Sequence, residues 1–148
     1  MDRQPTRAAE IAREHAFSWL PPGMQALLTA DRCREYNALI ADGLLSFSGP
    51  KSLSKPIRNL IPNLSSKEAI QYAVYAFAWA MEEASIEHME RIGIRYKKAI
   101  ASVGCCTTCQ SNKDQGAVPL GEPFRSGHMH APFCATCRCA TTAAREAV

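Results

Sequence analysis

Six of the seven cysteines in this 148-residue chain lie at positions 105–139, and this clustering constrains the fold more than any other feature. A secreted scaffold held by disulfides usually spreads an even number of cysteines along a short chain. A chain of this length buries enough surface to fold without cross-links. Residues 1–10 are polar, unlike a secretory signal. We therefore expect a reduced, cytosolic environment and a local metal site in place of a disulfide framework.

The spacing of these cysteines indicates a zinc site. Cys106 and Cys109 form one CxxC pair, and Cys134 and Cys137 form a second pair after 24 intervening residues. Two residues between thiolates allow a tight turn to direct both sulfurs at one ion, and two such turns complete a tetrahedron around Zn²⁺. The pattern therefore predicts a structural Zn²⁺ site with four sulfur ligands and no open position for a catalytic water.

Further residues near the two pairs extend the candidate site. The alternative ligands are Cys105, Cys139, His128 and His130. The choice between Cys137 and Cys139 as the fourth ligand stays open. Arg138 lies between these two cysteines, and we expect it to donate hydrogen bonds to the thiolates. An exposed arginine without that role is the competing interpretation, and both histidines also fit ordinary exposed loop positions.

The residues before position 93 have the periodicity of helices. We predict helices over 6–20, 23–45 and 65–91, with a proline-rich loop containing one helical turn over 46–64. Thr29 and Asp31 are candidates for interrupting or re-capping the second helix. Ser65 and Glu68 form a capping box that starts the longest helix. Its expected inward-facing side chains are Ile70, Val74, Phe77, Met81 and Ala84.

After Gly93 the apolar period changes to that of a strand. Ile94, Tyr96 and Ile100 alternate with basic residues, and Val118 with Leu120 predicts a second short strand that pairs with the first. The fold class is therefore α+β and mostly α, with a helical N-terminal body and a small β-hairpin zinc-binding module at the C-terminal end. The expected segments are 1–64, 65–93 and 94–148.

The charge distribution argues against a dedicated nucleic-acid binder. The whole chain carries a formal charge of +3. Residues 94–148 carry +4, which falls to +2 once four thiolates hold one Zn²⁺. A nucleic-acid-binding domain usually has a much more basic surface. No apolar run reaches the roughly 18 residues of a transmembrane helix, so we expect no membrane partner.

Residues 93–139 carry a family resemblance. Gly93-Ile94 follows the long helix, the first CxxC comes next, and Pro132-Phe-Cys134-Ala-Thr-Cys137-Arg138-Cys139 closes the segment. This order resembles the C-terminal part of the phage Mu F-like family, the minor head or head morphogenesis proteins of tailed bacteriophages. Cys134 stands where the family has histidine, and this change keeps a good zinc ligand.

The resemblance implies a structural virion component rather than an enzyme. It implies a protein made in the host cytoplasm and located in the phage head near the portal, acting in head assembly or in DNA packaging and ejection. Portal or capsid proteins are the implied partners, with non-specific DNA contact left open and no small-molecule substrate. The residues agree, since the segment offers no nucleophile–base pair.

Three rival functions start from the same residues. A zinc-ribbon nucleic-acid module would contact phosphates through Arg95, Lys97, Lys98, Lys113 and Arg125. A zinc-dependent deaminase would use His88 and Glu90 as an HxE motif with the later CxxC, but it leaves the first CxxC unexplained. A ββα-metal nuclease built on His128 and His130 would need an asparagine after them, and none follows.

Overall fold

The computed structural model describes residues 4–47, 49–134 and 138–145. Helices predominate and one small antiparallel sheet lies towards the C-terminal end, which confirms the α+β class. The chain divides into two compact units, Met1–Met81 and Glu82–Val148. Their boundary lies within the long helix, whereas the predicted segments assigned that helix to a segment of its own. No described helix combines the length and apolar composition that crossing a membrane requires.

The first unit is built from helices joined by short turns. In chain order these are α1 (Gln4–His15), a 3₁₀ turn (Ala16–Trp19), α2 (Pro22–Gln25), α3 (Ala30–Leu45), a second 3₁₀ turn (Pro50–Leu53), α4 (Ser54–Leu60) and the start of α5 (Ser66–Arg91). The predicted second helix is divided at Thr29, whose hydroxyl accepts a hydrogen bond from the Arg32 backbone N–H at 3.2 Å. A threonine there stabilises α3 because it satisfies an amide that lacks a partner within the helix.

Small side chains allow close packing in this unit. Helix α1 packs against α3, and Ala8 and Ile40 on these helices are fully buried. Gly43 lies on α3, where a Cβ atom would come 2.8 Å from Cζ of Phe77 on α5. Glycine at this position therefore lets the Phe77 ring lie directly against the α3 backbone.

Helix α5 begins at the predicted capping box. The Glu68 backbone N–H donates to the Ser65 hydroxyl at 3.1 Å, and the Ser65 N–H donates to the Glu68 carboxylate at 3.2 Å. The predicted inward stripe is wrong in detail, because Val74 is exposed. Ala84 is buried as predicted, and the other buried alanines of the helix lie outside the predicted stripe, namely Ala69, Ala73, Ala76 and Ala80. Alanine carries little hydropathic weight, but its small side chain permits close contact between packed elements.

Replacing Ser65 with alanine is expected to lower the free energy of unfolding by about 1 kcal/mol, since the variant loses the hydroxyl that accepts the Glu68 N–H. Thermal unfolding monitored by circular dichroism measures the decrease in stability. Lys67→Ala is the matched control, because Lys67 is exposed in the same helical turn. Equal melting temperatures for the two variants would contradict a stabilising role for the capping box.

The second unit contains a three-stranded antiparallel sheet and one further helix. The strands are β1 (Tyr96–Ile100), β2 (Val118–Pro119) and β3 (Ala140–Ala144), in the order β2-β1-β3, and helix α6 spans Thr107–Gln115. Lys97 pairs with Val118, and Lys98 pairs with Thr142. The predicted pairing of β1 with β2 is confirmed, and helix α6 occupies the connection between the two strands. Neither β3 nor α6 was predicted, because Ala140–Ala144 and Thr107–Gln115 lack an apolar period.

The buried face of β1 carries Lys97 and Ala99 and not the alternating apolar residues Tyr96 and Ile100. Lys97 is fully buried, Ala99 is 5% exposed, and Ile100 is 49% exposed. The Lys97 ammonium donates to the carbonyl of Leu120 at 3.0 Å and to that of Met129 at 2.6 Å. It also lies 5.1 Å from the centre of the Phe124 ring. These contacts compensate the burial of a charge, and desolvation lowers the Lys97 pKa.

Candidate metal centre

Helix α6 positions the first cysteine pair. Cys106 is the N-cap residue of α6, with extended backbone angles, and Cys109 lies in the first turn. The sequence predicted a tight turn here, and the structure forms that turn as the start of a helix. Gly104, at φ +77°, lies just before it and adopts a backbone conformation that favours glycine. The two sulfurs therefore project from the N-terminal end of α6.

The second pair contributes Cys134 to the same place. The Cys106 and Cys109 sulfurs are 3.3 Å apart, and the Cys106 and Cys134 sulfurs are 3.7 Å apart. All three sulfurs lie within 4.8 Å of one another. Thiolates bound tetrahedrally to Zn²⁺ at about 2.3 Å stand roughly 3.8 Å apart. The three described thiols are thus gathered at a separation that suits one metal ion.

The predicted fourth ligand is Cys137. Cys137 falls outside the described residues, so its assignment remains a prediction. Cys139 is buried in an apolar cluster with Phe124 and Phe133. Cys105 packs against that cluster, and its sulfur lies 3.8 Å from the side-chain oxygen of Gln110. Neither Cys105 nor Cys139 belongs to the three-thiol group that the described residues form.

The cysteines differ in how readily they ionise. The Cys109 backbone N–H at the start of α6 stabilises the Cys106 thiolate and lowers the pKa of Cys106. Desolvation raises the pKa of Cys105, and the nearby Cys139 and Cys106 thiols raise it further. None of the described cysteines forms a disulfide. The lowered pKa of Cys106 favours the thiolate form that a metal ligand needs.

An apolar layer supports the three thiols from one side. Cys109 is fully buried, and it shares a cluster with Phe124, Phe133 and Val118. The Phe124 and Phe133 rings meet edge to face with their centres 5.3 Å apart. Cys106 is exposed on the other side. The site consequently lies at the edge of a small core, where metal binding would join α6 to the loop carrying Cys134.

Both histidines proposed as alternative ligands have other partners. His130 is 2% exposed, which differs from the exposed position expected for it. Its Nδ1 lies 2.5 Å from the Ala131 carbonyl oxygen, and its Nε2 bonds to the Glu83 carboxylate. Both ring nitrogens of His130 therefore have protein oxygens as partners, and His130 is not in the three-thiol group that the described residues form. His128 Nδ1 lies 2.8 Å from the Ser126 hydroxyl, so it too is committed locally.

Other predicted residues lie outside the three-thiol group. Arg138 is exposed, and no described contact joins it to a thiol. His88 and Glu90, the residues of the deaminase hypothesis, are both exposed near the end of α5. Neither is among the described residues that form the metal-binding group.

Sequence reasoning missed one polar pair that fixes the loop beside the site. Asn112 on α6 is fully buried, and its amide group donates to the Ser126 hydroxyl at 2.8 Å. The Ser126 backbone N–H donates back to the Asn112 side-chain oxygen at 3.2 Å. A lone asparagine and serine 14 positions apart carry no recognisable pattern, so only the fold reveals this connection.

No family model matches the chain, and neither the curated proteins nor the solved structures include a match to it.

Proposed function

We propose that the three-thiol group binds a structural Zn²⁺ ion, with Cys137 as the fourth ligand. Thiolate ligands at tetrahedral spacing select Zn²⁺ or an iron–sulfur centre over hard cations. A four-sulfur site leaves no coordination position for a reacting water, so the ion would contribute folding energy and no catalysis. The support for this proposal is the close approach of Cys106, Cys109 and Cys134.

We further propose that the protein is a structural component of a tailed bacteriophage head. In this role it would act near the portal in head assembly or in DNA packaging and ejection, with portal or capsid proteins as partners. The observation that carries the proposal is the order of elements in the segment that resembles the phage Mu F-like family. This order consists of a long helix, a strand beginning soon after Gly93, and two cysteine segments whose described sulfurs lie close together.

The main alternative, a zinc-ribbon nucleic-acid module, loses one of its candidate contacts. Lys97 is fully buried and donates to two backbone carbonyls, so it does not present its charge to a phosphate. Arg95, Lys98, Lys113 and Arg125 are exposed, but Phe124, one of the two aromatic residues near them in sequence, is buried in the core of the second unit and offers no ring face for stacking. Single-stranded nucleic acid is usually bound through such stacking residues.

Virions of the phage that encodes the chain provide the test of the head proposal. Mass spectrometry should detect the protein in purified heads after the tails are removed. A strain that lacks the gene should yield heads that are unassembled, or that are empty of DNA. Normal DNA-filled heads in that strain, together with no detectable protein in wild-type heads, would rule out the proposed function.

A further inference from the structure

A basic pocket in the first unit lies far in sequence from the cysteines of the candidate metal centre. It has no role in the functions discussed so far. It has a volume of about 650 Å³ and lies where the second 3₁₀ turn, α4 and the start of α5 meet. Its cationic side chains are Lys51, Lys55 and Arg58. None of the described residues that line it is acidic. The lining therefore carries a formal charge of +3 that an incoming anion would encounter.

The three cations differ from other basic residues of this unit. Arg7, Arg13 and Arg34 each form an ion pair with a nearby carboxylate. Within the described part of the chain, the three pocket cations form no such pair with a carboxylate. All three side chains are exposed, so their charges are available to a ligand from solution.

The backbone arranges these charges on one side of the pocket. Lys55 and Arg58 are three residues apart on α4 and therefore share a helix face. The Arg58 Nε–H donates to the Leu64 carbonyl at 3.0 Å, which fixes the guanidinium while leaving its Nη groups for an oxyanion. The Ser54 and Ser66 hydroxyls lie 2.9 Å apart and join the start of α4 to the start of α5.

Neutral donors complete the lining. Ser52, Ser54 and Ser66 also line the pocket. The Ser52 hydroxyl donates to the Gly49 carbonyl at 2.7 Å, and one hydroxyl of the Ser54–Ser66 pair donates to the other, which leaves one hydroxyl proton of that pair for a ligand. Ser66 is the first residue of the 26-residue helix α5, whose N-terminal end carries partial positive charge. Glu68 in the same turn is not part of the lining, and its carboxylate accepts the Ser65 N–H. Hydroxyl groups, a guanidinium and ammonium groups together form a donor-rich surface.

We propose that this pocket binds phosphate groups, either of a small polyphosphate or of a nucleic-acid backbone. A phosphate offers several acceptor oxygens with one or two negative charges, and this matches three cations that line one pocket with the Ser54–Ser66 hydroxyl pair. A single carboxylate would leave most of these donors without an acceptor. Leu64 is the one apolar side chain among the described lining residues, so the pocket suits a charged ligand without a large apolar body.

Titration of the full-length protein with pyrophosphate tests the proposal, and a parallel titration with a short DNA duplex identifies the source of the phosphate. Isothermal calorimetry measures the first affinity and fluorescence anisotropy the second. Lys51→Gln/Lys55→Gln should weaken pyrophosphate binding about tenfold, since two charge-assisted contacts are lost. If DNA is the ligand, the salt dependence of log K should also become shallower by about 1.8 for two lost contacts.

Two matched double variants separate site binding from general electrostatics. Arg13→Gln/Arg34→Gln removes the same charge from ion-paired arginines of the same unit and should leave both affinities unchanged. Lys51→Arg/Lys55→Arg keeps the charge and should retain binding. Retained binding in this variant would assign the loss in the glutamine variant to the missing charges and not to a folding defect. Binding of pyrophosphate alone supports a small polyphosphate ligand, and binding of DNA supports a backbone ligand. Binding of neither probe, or equal losses in the pocket and control variants, overturns the proposal.

Discussion

Cys106→Ser is expected to release the metal and unfold residues 94–142 while leaving most of the helix content of α1 to α5 in place. Cys106 is the residue that best isolates the metal contribution. Serine is among the preferred N-cap residues, so the substitution preserves or improves the start of α6. Cys106 is also exposed, so the change buries no additional polar group. Any large loss of structure must therefore come from the lost thiolate ligand.

The expected magnitude is large because metal binding contributes directly to folding. The wild-type protein should contain about one equivalent of Zn²⁺ per chain, and the variant only a small fraction of that. Metal analysis by mass spectrometry measures the content. Limited proteolysis should then cut the variant between positions 94 and 142 while the segment before position 91 resists. A chelator added to the wild-type protein should reproduce the same digestion pattern.

Cys33→Ser is the matched control for this experiment. Cys33 lies on α3 in the first unit, and it is partly exposed. We expect its replacement to leave both the zinc content and the digestion pattern unchanged. A wild-type protein without bound metal would refute the zinc site, and a Cys106→Ser variant with full zinc content would remove Cys106 from the ligand set.

Lys97→Met is expected to lower the free energy of unfolding of the second unit by about 2 kcal/mol. The substitution leaves the Leu120 and Met129 carbonyls without their lysine donor, and each buried group that loses its partner costs about 1–3 kcal/mol. Methionine fills a similar volume and carries no charge, so it relieves the desolvation of the ammonium and offsets part of that loss. Urea denaturation followed by circular dichroism measures the difference.

The adjacent lysine supplies the control for this second prediction. Lys98 lies on the same strand and is exposed, so Lys98→Met should change the free energy of unfolding by less than about 0.5 kcal/mol. If Lys97→Met leaves the free energy of unfolding unchanged, the two carbonyls must find other donors. In that case Lys97 would not be the residue that holds the loops around Leu120 and Met129 together.

The sequence predicted the starts of helices well where capping residues mark them. The Ser65–Glu68 capping box marks the start of α5, and both of its hydrogen bonds form. Thr29 re-caps α3 as its hydroxyl suggested. Such signals are local, because a side chain within three residues satisfies a specific backbone amide. They are therefore readable without knowledge of the tertiary fold.

The faces of the elements were harder to predict, since burial depends on distant partners. Hydropathy favoured Ile100 as an inward residue of β1 and placed Lys97 outside, yet the fold does the reverse. Lys97 is buried because Leu120 and Met129, 23 and 32 positions away, bring carbonyls to its ammonium. Strand β3 was missed for a related reason. Its five residues contain only alanine and threonine, and pairing with β1 defines it as a strand.

The candidate site was predictable in part. The CxxC spacing predicted that Cys106, Cys109 and Cys134 bind the same metal ion, and their sulfurs lie close together in the fold. The histidines were ambiguous, because sequence proximity to a metal site says nothing about competing partners. Glu83, which bonds to His130, lies 47 positions earlier on α5.

Strand β2 affects whether the sheets of neighbouring copies of the protein can join edge to edge. It forms one edge of the sheet, it is two residues long, and one of them is Pro119. Proline has no N–H, so this edge offers an approaching strand almost no ladder of donors. A sheet terminated in this way resists growth by strand addition, so crowding of many copies would not readily drive them into β-aggregates along this side.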